Sequence, residues 1–582
     1  MAIIPMQKVA IISLTSHKED VLKLLHDEGV LEVSDVREGS SGVDHTDVKF
    51  RKAELEFSIA TLLPFASKQV RSAMSKKPSK EDVVMAALHT DIRGIIDQVH
   101  GIEKREHDAK KKLHEFRKGT EGVDAGTAGM NEAAYFTGSV PQATMKMPST
   151  STGETSAQDA QMQIEEKKLE QDLENIHALR LRLAEELPNL ARAAIFLRWL
   201  DEKQAVREAM RETEGTVTLF GWVAKKNMAR LEKKLHDLSK ATAILKVKPD
   251  DSETMPVQLK NWKLLTPFES VTKLYGLPQS TEMDPTPFLA LFFILFFALC
   301  LTDAGYGAVQ AIIMGAYLLK TRQKIEEAPL IWLLLFSGIV TFFVSIPFGG
   351  WFGMTPDQAP SFMTESRDGV MWFKGQVWNL SATEGITFLQ NLSLTLGVIH
   401  LSFGVMLAAY WKALQGKYAA AFWQDVSTLA MIGSLVFWGF APADLKQTAL
   451  YTVYGAVAFM IWGKGYGSPM LTRPLMGLLQ TLNWFLGMLG NVLSYLRILA
   501  LGLVTGALAF TVNLVAEQIG AMLPWFIAIP FMIVVYVGGH TMNIALNVLG
   551  AFIHSGRLQF VEFFSQFFEG GGRPFRPFAR SA

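Results

Sequence analysis

The chain has 582 residues, 49% of them hydrophobic, and this length is too great for one ordinary domain. Its 56 basic and 56 acidic side chains give a formal net charge of zero, so no excess of positive charge points to nucleic acid as a partner. Charged residues crowd positions 1–275, and the sequence beyond them is mostly apolar. We therefore expect a soluble domain over residues 1–280 and a transmembrane domain over residues 281–582.

The single cysteine, Cys300, lies inside an apolar run, so the chain cannot form a disulfide or a cysteine-based metal site with itself. We expect it to pack as a small apolar side chain. The segment from Met1 to Leu14 is mildly apolar, but Lys8 interrupts it and no small-residue cleavage site follows. This segment is predicted to be a β-strand and not a signal peptide.

A strand–helix–strand pattern occurs twice in the soluble part. The first copy has a β-rich run at Val9–Leu14, a helical pattern that ends at Gly29, and a second β-rich run at Val30–Val33. The same order recurs at Thr216–Val223, Lys225–Leu238 and Ala243–Val247. The pattern predicts two small α/β lobes, near residues 1–50 and 215–250.

Two helical stretches, near residues 50–118 and 160–213, separate the lobes. Each has apolar residues at alternating spacings of three and four, which is the spacing of a coiled coil, and each contains one polar position, Glu106 or Arg180. The positions are Ile92, Ile95, Val99, Ile102, Glu106, Ala109, Leu113 and Phe116 in the first stretch, and Leu169, Leu173, Ile176, Arg180, Leu183, Leu187, Leu190, Ala194 and Leu197 in the second. We predict an antiparallel coiled-coil hairpin, with an ordinary helical bundle as the alternative.

The polar region Gly119–Gln161 separates the two helical stretches and holds one short strand candidate, Ala134–Val140. The soluble part shows no phosphate-binding glycine loop, no metal-ligand cluster and no nucleophile–base motif. A long helical rod without such motifs indicates a mechanical strut rather than an enzyme.

Long apolar runs begin near Phe288. Eight spans are predicted: Phe288–Leu301, Ala304–Leu319, Leu330–Phe348, Ile386–Tyr410, Val426–Phe440, Ala449–Trp462, Leu475–Val515 and Pro524–Ile553. A helix needs about 20 apolar residues to cross the hydrocarbon core, so the shorter runs must extend into flanking residues. The last two runs are longer than one crossing needs, and these helices must tilt strongly or project beyond the bilayer. The fold class is therefore a mainly α membrane protein: a cytoplasmic coiled-coil hairpin with two α/β lobes, then a bundle of eight transmembrane helices.

The charges of the connecting loops predict the orientation. With the N-terminal part in the cytoplasm, the cytoplasmic connections and the tail carry Lys320, Arg322, Lys324, Lys412, Lys417, Lys464, Arg473, Arg573, Arg576 and Arg580. The opposite side carries only Arg367, Lys374 and Lys446. This bias favours eight crossings with both termini in the cytoplasm.

The last two spans each carry a polar stripe. The stripe of the seventh span consists of Gln480, Asn483, Asn491, Ser494, Arg497 and Thr505, within an arc of roughly 120°. The stripe of the eighth consists of His540, Asn543, Asn547, His554 and Arg557, within roughly 100°. Each long helix is therefore predicted to present one polar face in an apolar setting.

Arg497 is the most costly of these residues, because a mid-membrane arginine costs roughly 2.5–3.5 kcal/mol on insertion scales and cannot lose its proton. No Asp or Glu lies within the apolar body of either helix, since Glu517 and Glu562 are near the ends. We expect the anionic partner on another protein. The alternatives are that Arg497 pairs with helix-end carbonyls or Asp303, that Arg557 snorkels to the interface, and that His540 and His554 are ordinary buried histidines.

Six motifs in order resemble the large membrane subunit of vacuolar and archaeal-type rotary ATPases, called subunit a or subunit I. They are the opening MQKVAIISLTSHKEDVLKLLHDEGVLEV, the pre-membrane run LLTPFESVTKLYGLPQSTEMDPTPF, TDAGYG at Thr302–Gly307, FGGWFG at Phe348–Gly353, SYLRILALGL at Ser494–Leu503, and HSGRLQFVEFFSQFFEGGG at His554–Gly572. The resemblance covers nearly the whole chain.

The resemblance implies that the two long helices wrap a rotating proteolipid c-ring whose subunits each carry one membrane carboxylate. Arg497 matches the essential arginine of the family, and Arg557 matches a second, supporting arginine. Polar side chains would line two offset aqueous half-channels for protons or sodium, and the candidates are Gln480, Asn483, Asn491, Ser494, Thr505, His540, Asn543, Asn547, His554 and Glu562. The N-terminal arm would bind peripheral stalk subunits and the central-stalk cap subunit.

The resemblance also implies a subunit without catalytic residues, cofactor or metal, which contacts the lipid bilayer of a prokaryotic plasma membrane. The sequence departs from eukaryotic members at two positions: Thr505 replaces a histidine and Asn547 replaces a glutamate, whereas His554 matches a family histidine.

Two other functions are alternatives, a secondary transporter and a membrane scaffold. A secondary transporter would show inverted repeats, and none is evident. A membrane scaffold for a cytoplasmic strut would leave Arg497 unexplained.

Overall fold

A computed structural model describes residues 3–34, 46–75, 78–121, 155–250, 253–367, 369–380 and 382–580, with the backbone alone at 46–49, 75, 115–121 and 155–163. The strand predicted at Ala134–Val140 lies outside the described residues, as does the side chain of Phe116. The chain forms two compact units, one of residues 7–248 with 576–582 and one of residues 1–6 with 249–575.

The unit that contains residues 7–248 has one five-stranded sheet. Its strands are β1 (Met6–Leu14), β2 (Leu31–Val33), β3 (Arg211–Glu212), β4 (Thr216–Ala224) and β5 (Ala243–Lys246). The order is β2-β4-β1-β5, with β3 paired to β4. β2 of the first strand–helix–strand copy pairs with β4 of the second, and β1 pairs with β5. The two copies therefore share one sheet, whereas the sequence predicted two separate lobes.

The shared sheet has a physical reason. Two strands and a helix cannot bury enough apolar surface to be stable alone. In the joint sheet, α1 (Lys18–Glu28) and α8 (Met228–Leu238) contribute to a single apolar core with the strands. Leu22 of α1, Leu235 of α8 and Val9 of β1 are all fully or almost fully buried in it.

The described part of this unit has six further α-helices: α2 (Thr46–Leu62), α3 (Lys68–Ser75), α4 (Lys80–His89), α5 (Ile92–Glu121), α6 (Thr155–Ala184) and α7 (Leu187–Ala209). The predicted stretches are thus interrupted, by Pro64 after α2 and by Pro188 at the start of α7, where a proline cannot continue the preceding helix. α2, α5, α6 and α7 share one apolar core. This packing does not confirm a coiled-coil hairpin, which remains a prediction.

The last described residues of the chain complete the β2 side of this unit. Phe578 donates its N–H to the Leu31 carbonyl (2.8 Å), and its buried ring stacks on His26 with 4.4 Å between ring centroids. Arg580 forms an ion pair with Asp27 (3.1 Å). Gly29, whose φ is 60°, ends α1 at this place, and a Cβ there would lie 2.7 Å from Ala579.

The second unit is mostly helical. Its helices are α9 (Thr266–Tyr275), α10 (Thr286–Leu301), α11 (Ala304–Thr321), α12 (Pro329–Ser345), α13 (Thr383–Leu414), α14 (Tyr418–Ala420), α15 (Ser427–Phe440), α16 (Lys446–Lys464), α17 (Arg473–Ser494), α18 (Leu496–Met522) and α19 (Trp525–Arg557). Two π-helical segments, Ala421–Val426 and Leu558–Phe563, precede α15 and follow α19. Two short strand pairs, β6 (Pro256–Val257) with β9 (Arg573–Pro574) and β7 (Thr364–Arg367) with β8 (Val370–Phe373), complete the unit.

Five helical segments of the described chain are long and apolar enough to cross a membrane. They are Pro329–Phe348, Thr383–Leu414, Tyr418–Phe440, Arg473–Met522 and Trp525–Gln566, and Thr286–Leu301 is a shorter apolar helix. The eight predicted runs all fall on helical segments, and the seventh covers two helices, α17 and α18. The eight-span count itself is not confirmed by these five segments and stays a prediction.

The core of this unit forms around α10, which packs against α12, α18 and α19. Phe293, Phe296 and Phe297 of α10 are completely buried, as expected of a helix that is apolar on every side. α11 and α12 approach each other closely at Gly307 and Gly338, since a Cβ on Gly307 would lie 2.7 Å from a backbone nitrogen of α12. This packing fixes the elements that carry the polar residues of α18 and α19.

Candidate functional site

The seventh predicted span is interrupted just before Arg497. α17 ends at Ser494, α18 begins at Leu496, and the turn between them tightens at Tyr495. Tyr495 donates its N–H to the Val492 carbonyl (3.1 Å) and accepts a hydrogen bond from Ile498 N–H (3.0 Å). Such i→i+3 bonds are typical of a 3₁₀ turn. The structure therefore divides the run that the sequence predicted as one helix.

The Tyr495 side chain holds this turn against α13. It is completely buried, and its hydroxyl lies 2.8 Å from Nδ1 of His400, which is also completely buried. Gly397 makes room for the ring, because a Cβ there would lie 2.7 Å from it. The His400 ring stacks on Phe563 with 4.1 Å between centroids. The start of α18 is thus fixed by contacts with α13 and with the segment after α19.

Arg497 lies in the first turn of α18 and is half-buried. Its Nη1 atom is buried without a hydrogen-bond partner, and the side chain forms no ion pair with any described residue. The charged groups that interact most strongly with it are Arg557 and Glu562. A second cation beside it adds repulsion, so the described part of the chain leaves the charge of Arg497 incompletely compensated.

Glu562 is an acid of the same chain in this region. It lies on the π-helical segment Leu558–Phe563, is only 1% exposed, and is placed beside Ser494. One of its carboxylate oxygens is buried without a partner. A π-helical segment of this kind is frequent at functional sites. The sequence had placed Glu562 only near the end of the span.

His554 and Arg557 occupy the last turn of α19. His554 is half-buried, its Nδ1 atom is buried without a partner, and both Arg497 and Arg557 lie near it. Arg557 is exposed and forms no ion pair with a described residue. Together with Ser494 and Glu562 these residues form the Arg497 cluster, which contains two cations and one acid.

A second group of polar residues, the His540 cluster, lies farther along α18 and α19. Nε2 of His540 is 3.0 Å from Oδ1 of Asn513, and its Nδ1 is 2.6 Å from the Tyr306 hydroxyl. Asn543 donates to the same hydroxyl (2.8 Å), and Asn547 donates to Oδ1 of Asn543 (2.5 Å). On α18, Asn513 is 16 residues, or about 24 Å, from Arg497, whereas Thr505 is eight residues, or about 12 Å, from it.

The predicted stripe of the seventh span does not form one continuous surface. Thr505 is buried, donates to the Leu501 carbonyl (3.0 Å), and accepts from Asn543 through its own carbonyl. Gln480 and Asn483 are exposed on α17, and Asn491 is half-buried. The structure thus brings Ser494, Arg497, Arg557, His554 and Glu562 together, and it places His540, Asn543, Asn547 and Thr505 in the other cluster.

Sequence reasoning missed two residues of the His540 cluster, Tyr306 and Asn513, and two buried polar residues outside both clusters, His400 and Gln559. Tyr306 is part of the TDAGYG motif, and His400 is a lone histidine in the fourth apolar run, so each had a weak signal. Gln559 is completely buried, and both polar atoms of its side chain lack a hydrogen-bond partner. Over the described ranges, no group of three or more His, Cys, Asp or Glu residues is suited to hold a metal ion.

The sequence matches the V-type ATPase 116kDa subunit family over residues 207–344 and 475–580. It is 33% identical over 448 residues to the A-type ATP synthase subunit I of Methanocaldococcus jannaschii, covering 71% of this chain and 63% of that protein. It is 31% identical over 389 residues to the A-type ATP synthase subunit I of Pyrococcus abyssi, covering 65% of this chain and 56% of that protein. The V-type ATP synthase subunit I of Chlamydia muridarum is 25% identical over 442 residues, with 65% of each chain covered.

The chain spans somewhat less than two thirds of the length of these relatives. The second matched segment contains α17, α18 and α19, and with them both arginines of the Arg497 cluster. With its apolar helices the chain is an integral membrane protein. It belongs to the V-type ATPase 116kDa subunit family, and the relatives that it matches are named subunit I of A-type or V-type ATP synthases.

Proposed function

We propose that this chain is the stator ion-channel subunit of a V/A-type rotary ATPase. It carries protons or sodium ions between the two sides of the membrane and the carboxylates of a rotating proteolipid c-ring. It links the membrane part to peripheral stalk subunits and the central-stalk cap subunit through its N-terminal unit. Its role is non-catalytic, with ATP chemistry on other subunits, in the plasma membrane of a prokaryote and with both termini in the cytoplasm.

The observation that carries the proposal is the unpartnered charge of Arg497. Its Nη1 atom is buried without a hydrogen bond, and no described residue forms an ion pair with it. A charge of this kind within lipid costs several kcal/mol unless an anion compensates it. A carboxylate on a passing rotor subunit would supply that anion, and the guanidinium would favour its ionised form. The carboxylate would then give up its ion on arrival and take up another on leaving.

The two clusters support two half-channels at different depths. The Arg497 cluster offers Ser494, His554 and Glu562 to one side, and the His540 cluster offers Thr505, Asn543 and Asn547 to the other. Arg497 would prevent a direct leak between them, because a fixed positive charge in a low-dielectric space repels a free cation. Gln480, Asn483 and Asn491 remain proposed lining residues on α17, where the first two are exposed.

The test uses the whole complex reconstituted in lipid vesicles. Arg497→Ala is compared with Arg497→Lys and with Arg557→Ala, and three quantities are measured: subunit content, ATP hydrolysis and ATP-driven ion uptake. We expect Arg497→Ala to abolish uptake while the complex still assembles. Lys keeps the charge but not the planar fork of donors, so partial uptake is expected. Arg557→Ala should cost less, since Arg557 is exposed.

ATP-coupled uptake at the normal rate in Arg497→Ala would overturn the proposal. A scaffold without a channel predicts that result, because assembly would not need the guanidinium. Loss of assembly in Arg497→Ala, with normal uptake in Arg497→Lys, would assign Arg497 to packing within the chain and would also contradict the proposed role.

A further inference from the structure

Five side chains of the His540 cluster form one continuous chain of hydrogen bonds. Tyr306 lies on α11, Asn513 on α18, and His540, Asn543 and Asn547 on α19. All except His540 are less than 10% exposed. The chain of bonds therefore connects three helices in a region from which water is largely excluded, where each donor and acceptor must find a defined partner.

The backbone fixes the orientation of all three amides. Asn513 donates to the Phe352 carbonyl (2.8 Å), Asn543 to the Thr505 carbonyl (3.3 Å), and Asn547 to the Asn543 carbonyl (2.9 Å). A backbone carbonyl only accepts hydrogen bonds, so the atom that faces it in each amide must be the nitrogen. The position of each amide oxygen follows.

These orientations determine the tautomer of His540. The amide oxygen of Asn513 faces Nε2, and since this oxygen only accepts, Nε2 must carry the proton. The Tyr306 hydroxyl accepts from Asn543, and among the described residues its own proton has one acceptor, Nδ1 of His540. His540 is therefore the neutral Nε2–H tautomer, and it accepts from Tyr306.

All bonds in the chain consequently point the same way. The donors run from Asn547 to Asn543, Tyr306, His540 and Asn513, and the last acceptor is the Phe352 carbonyl. Aligned hydrogen bonds polarise one another and their dipoles add. The negative end is the amide oxygen of Asn547, which accepts no hydrogen bond from the described residues.

We propose that Tyr306 is the positioning residue of this half-channel, an inference that rests on the proposed function. Among the described residues, its hydroxyl is the one link between the Asn543–Asn547 pair and the His540–Asn513 pair. It donates to Nδ1 of His540, which supports the Nε2–H tautomer, and it joins the dipoles of the two pairs. The amide oxygen of Asn547, at the negative end of the joined chain, would attract a hydrated cation, a hydronium or sodium ion, on its way to the rotor. Without the hydroxyl, the two halves keep the orientations that the backbone sets, but their hydrogen bonds no longer polarise one another.

The test compares Tyr306→Phe with Tyr536→Phe in the reconstituted complex. Both rings lie at a similar distance from His540, with centroids 5.9 and 6.1 Å away, but the Tyr536 hydroxyl has no hydrogen bond to a described residue. We expect ATP-driven ion uptake to fall about tenfold in Tyr306→Phe, by analogy with the loss of about tenfold or more that follows when the partner orienting a metal-ligating histidine is removed. Tyr536→Phe should transport normally.

A spectroscopic measurement separates positioning from a purely structural role. In the complex labelled with ¹⁵N-histidine, solid-state NMR should show a protonated Nε2 and an unprotonated, hydrogen-bonded Nδ1 for His540, assigned by the loss of these signals in His540→Gln. Tyr306→Phe should change the Nδ1 signal, and Tyr536→Phe should leave it unchanged. An unchanged Nδ1 signal or normal uptake in Tyr306→Phe would overturn the inference.

Two further variants make every outcome decisive. If Tyr306→Phe does not assemble, Asn543→Leu is used instead, because it breaks the chain of hydrogen bonds on the other side of the Tyr306 hydroxyl. In this variant ion uptake should fall while the NMR signals of His540 stay unchanged. Normal uptake would overturn the inference. Arg497→Ala in the same preparation tests the proposed function. If that variant still pumps ions, the proposed function fails, whereas its loss of pumping together with normal uptake in Tyr306→Phe removes only the role of Tyr306.

Discussion

Arg180 on α6 forms an ion pair with Glu106 on α5, and these are the two polar positions in the otherwise apolar periodic stretches of the helical region. A second acid one turn away, Glu103, lies 2.5 Å from the same guanidinium. Burial favours the neutral form of Glu106, but the hydrogen bond with Lys110 and the charge of Arg180 outweigh it and hold the pKa of Glu106 below its ordinary value. The two helices are thus held in register by the charge of Arg180, whose side chain is only 10% exposed.

We predict that Arg180→Ala loosens the contact between α5 and α6 more than Glu106→Ala does. Arg180→Ala removes both ion pairs, whereas Glu106→Ala leaves Arg180 with Glu103. The expected cost of the first change is about 1–2 kcal/mol, which is a factor of roughly 5–30 in local opening. Amide hydrogen exchange of α5 and α6 in the full chain measures it. Equal exchange in the two variants would show that Glu103 and Glu106 do not share the charge.

The packing of His26 predicts acid sensitivity of the sheet. Burial, together with the positive charge of Arg580, lowers the pKa of His26 to about 4. An unfolded histidine has a pKa of about 6.5, so folding favours the neutral ring: the stabilisation is fully present above about pH 6.5 and is lost as the pH falls from there to about 4. Over this window we expect a loss of at most about 3 kcal/mol.

Hydrogen exchange of β2 and the C-terminal residues at pH 7 and pH 5 checks the acid sensitivity. His26→Phe should remove most of the pH dependence, because a phenyl ring retains the stacking on Phe578 but cannot be protonated. If the variant keeps the acid dependence of the wild type, another group is responsible.

Much of the fold followed from local pattern, and the pairing of the strands did not. Alternating apolar residues identify β1, β2, β4 and β5 as strands, but they do not specify that β1 pairs with β5 or that β2 pairs with β4, far away in the sequence. The register Leu31 with Val223 depends on the common core, which is tertiary information. The sequence analysis missed the helix breaks at Pro64 and Pro188 and ran both helical stretches through them, although a proline interrupts a helix.

The candidate site also has residues that the sequence could identify and residues that it could not. Arg497 could be recognised because an ionised side chain in an apolar run is costly wherever it lies. Tyr306 and Asn513 could not, because their role depends on where α11 and α18 meet α19. The helical projection of the seventh span treated Thr505 and Gln480 as one face, whereas Thr505 is buried and Gln480 is exposed on either side of the turn at Tyr495.

Phe578 is predicted to hold the C-terminal residues on the sheet. Its side chain is 6% exposed and stacks on His26, so Phe578→Ala should cost about 3–5 kcal/mol locally and expose the end of the chain to protease. Arg576→Ala is the matched control, since the Arg576 side chain is exposed and the bond to Glu32 comes from the backbone N–H (2.7 Å). Equal cleavage rates at the C-terminus in both variants would contradict the prediction.

Gly502 and Gly506 offer a comparison one turn apart on α18. A Cβ on Gly502 would lie 2.8 Å from Oγ1 of Thr302, which donates to the Gly502 carbonyl (3.0 Å), and 3.1 Å from the Leu299 carbonyl. A Cβ on Gly506 would meet nothing within 4 Å. Gly502→Ala should therefore displace α18 from α10 at a cost of about 1–3 kcal/mol, whereas Gly506→Ala should be neutral or stabilise the helix by about 1 kcal/mol.

The glycine pair also tests whether transport depends on the position of Arg497. Gly502 is little more than one turn from Arg497, so a displaced α18 moves the guanidinium relative to the rest of the chain. In vesicles, Gly502→Ala should reduce ATP-driven ion uptake more than it reduces assembly, and Gly506→Ala should leave both unchanged. Because the two substitutions add the same methyl group to the same helix, a difference between them can only come from what the methyl group meets. Equal uptake in both variants would mean that the contact between α10 and α18 does not control the site.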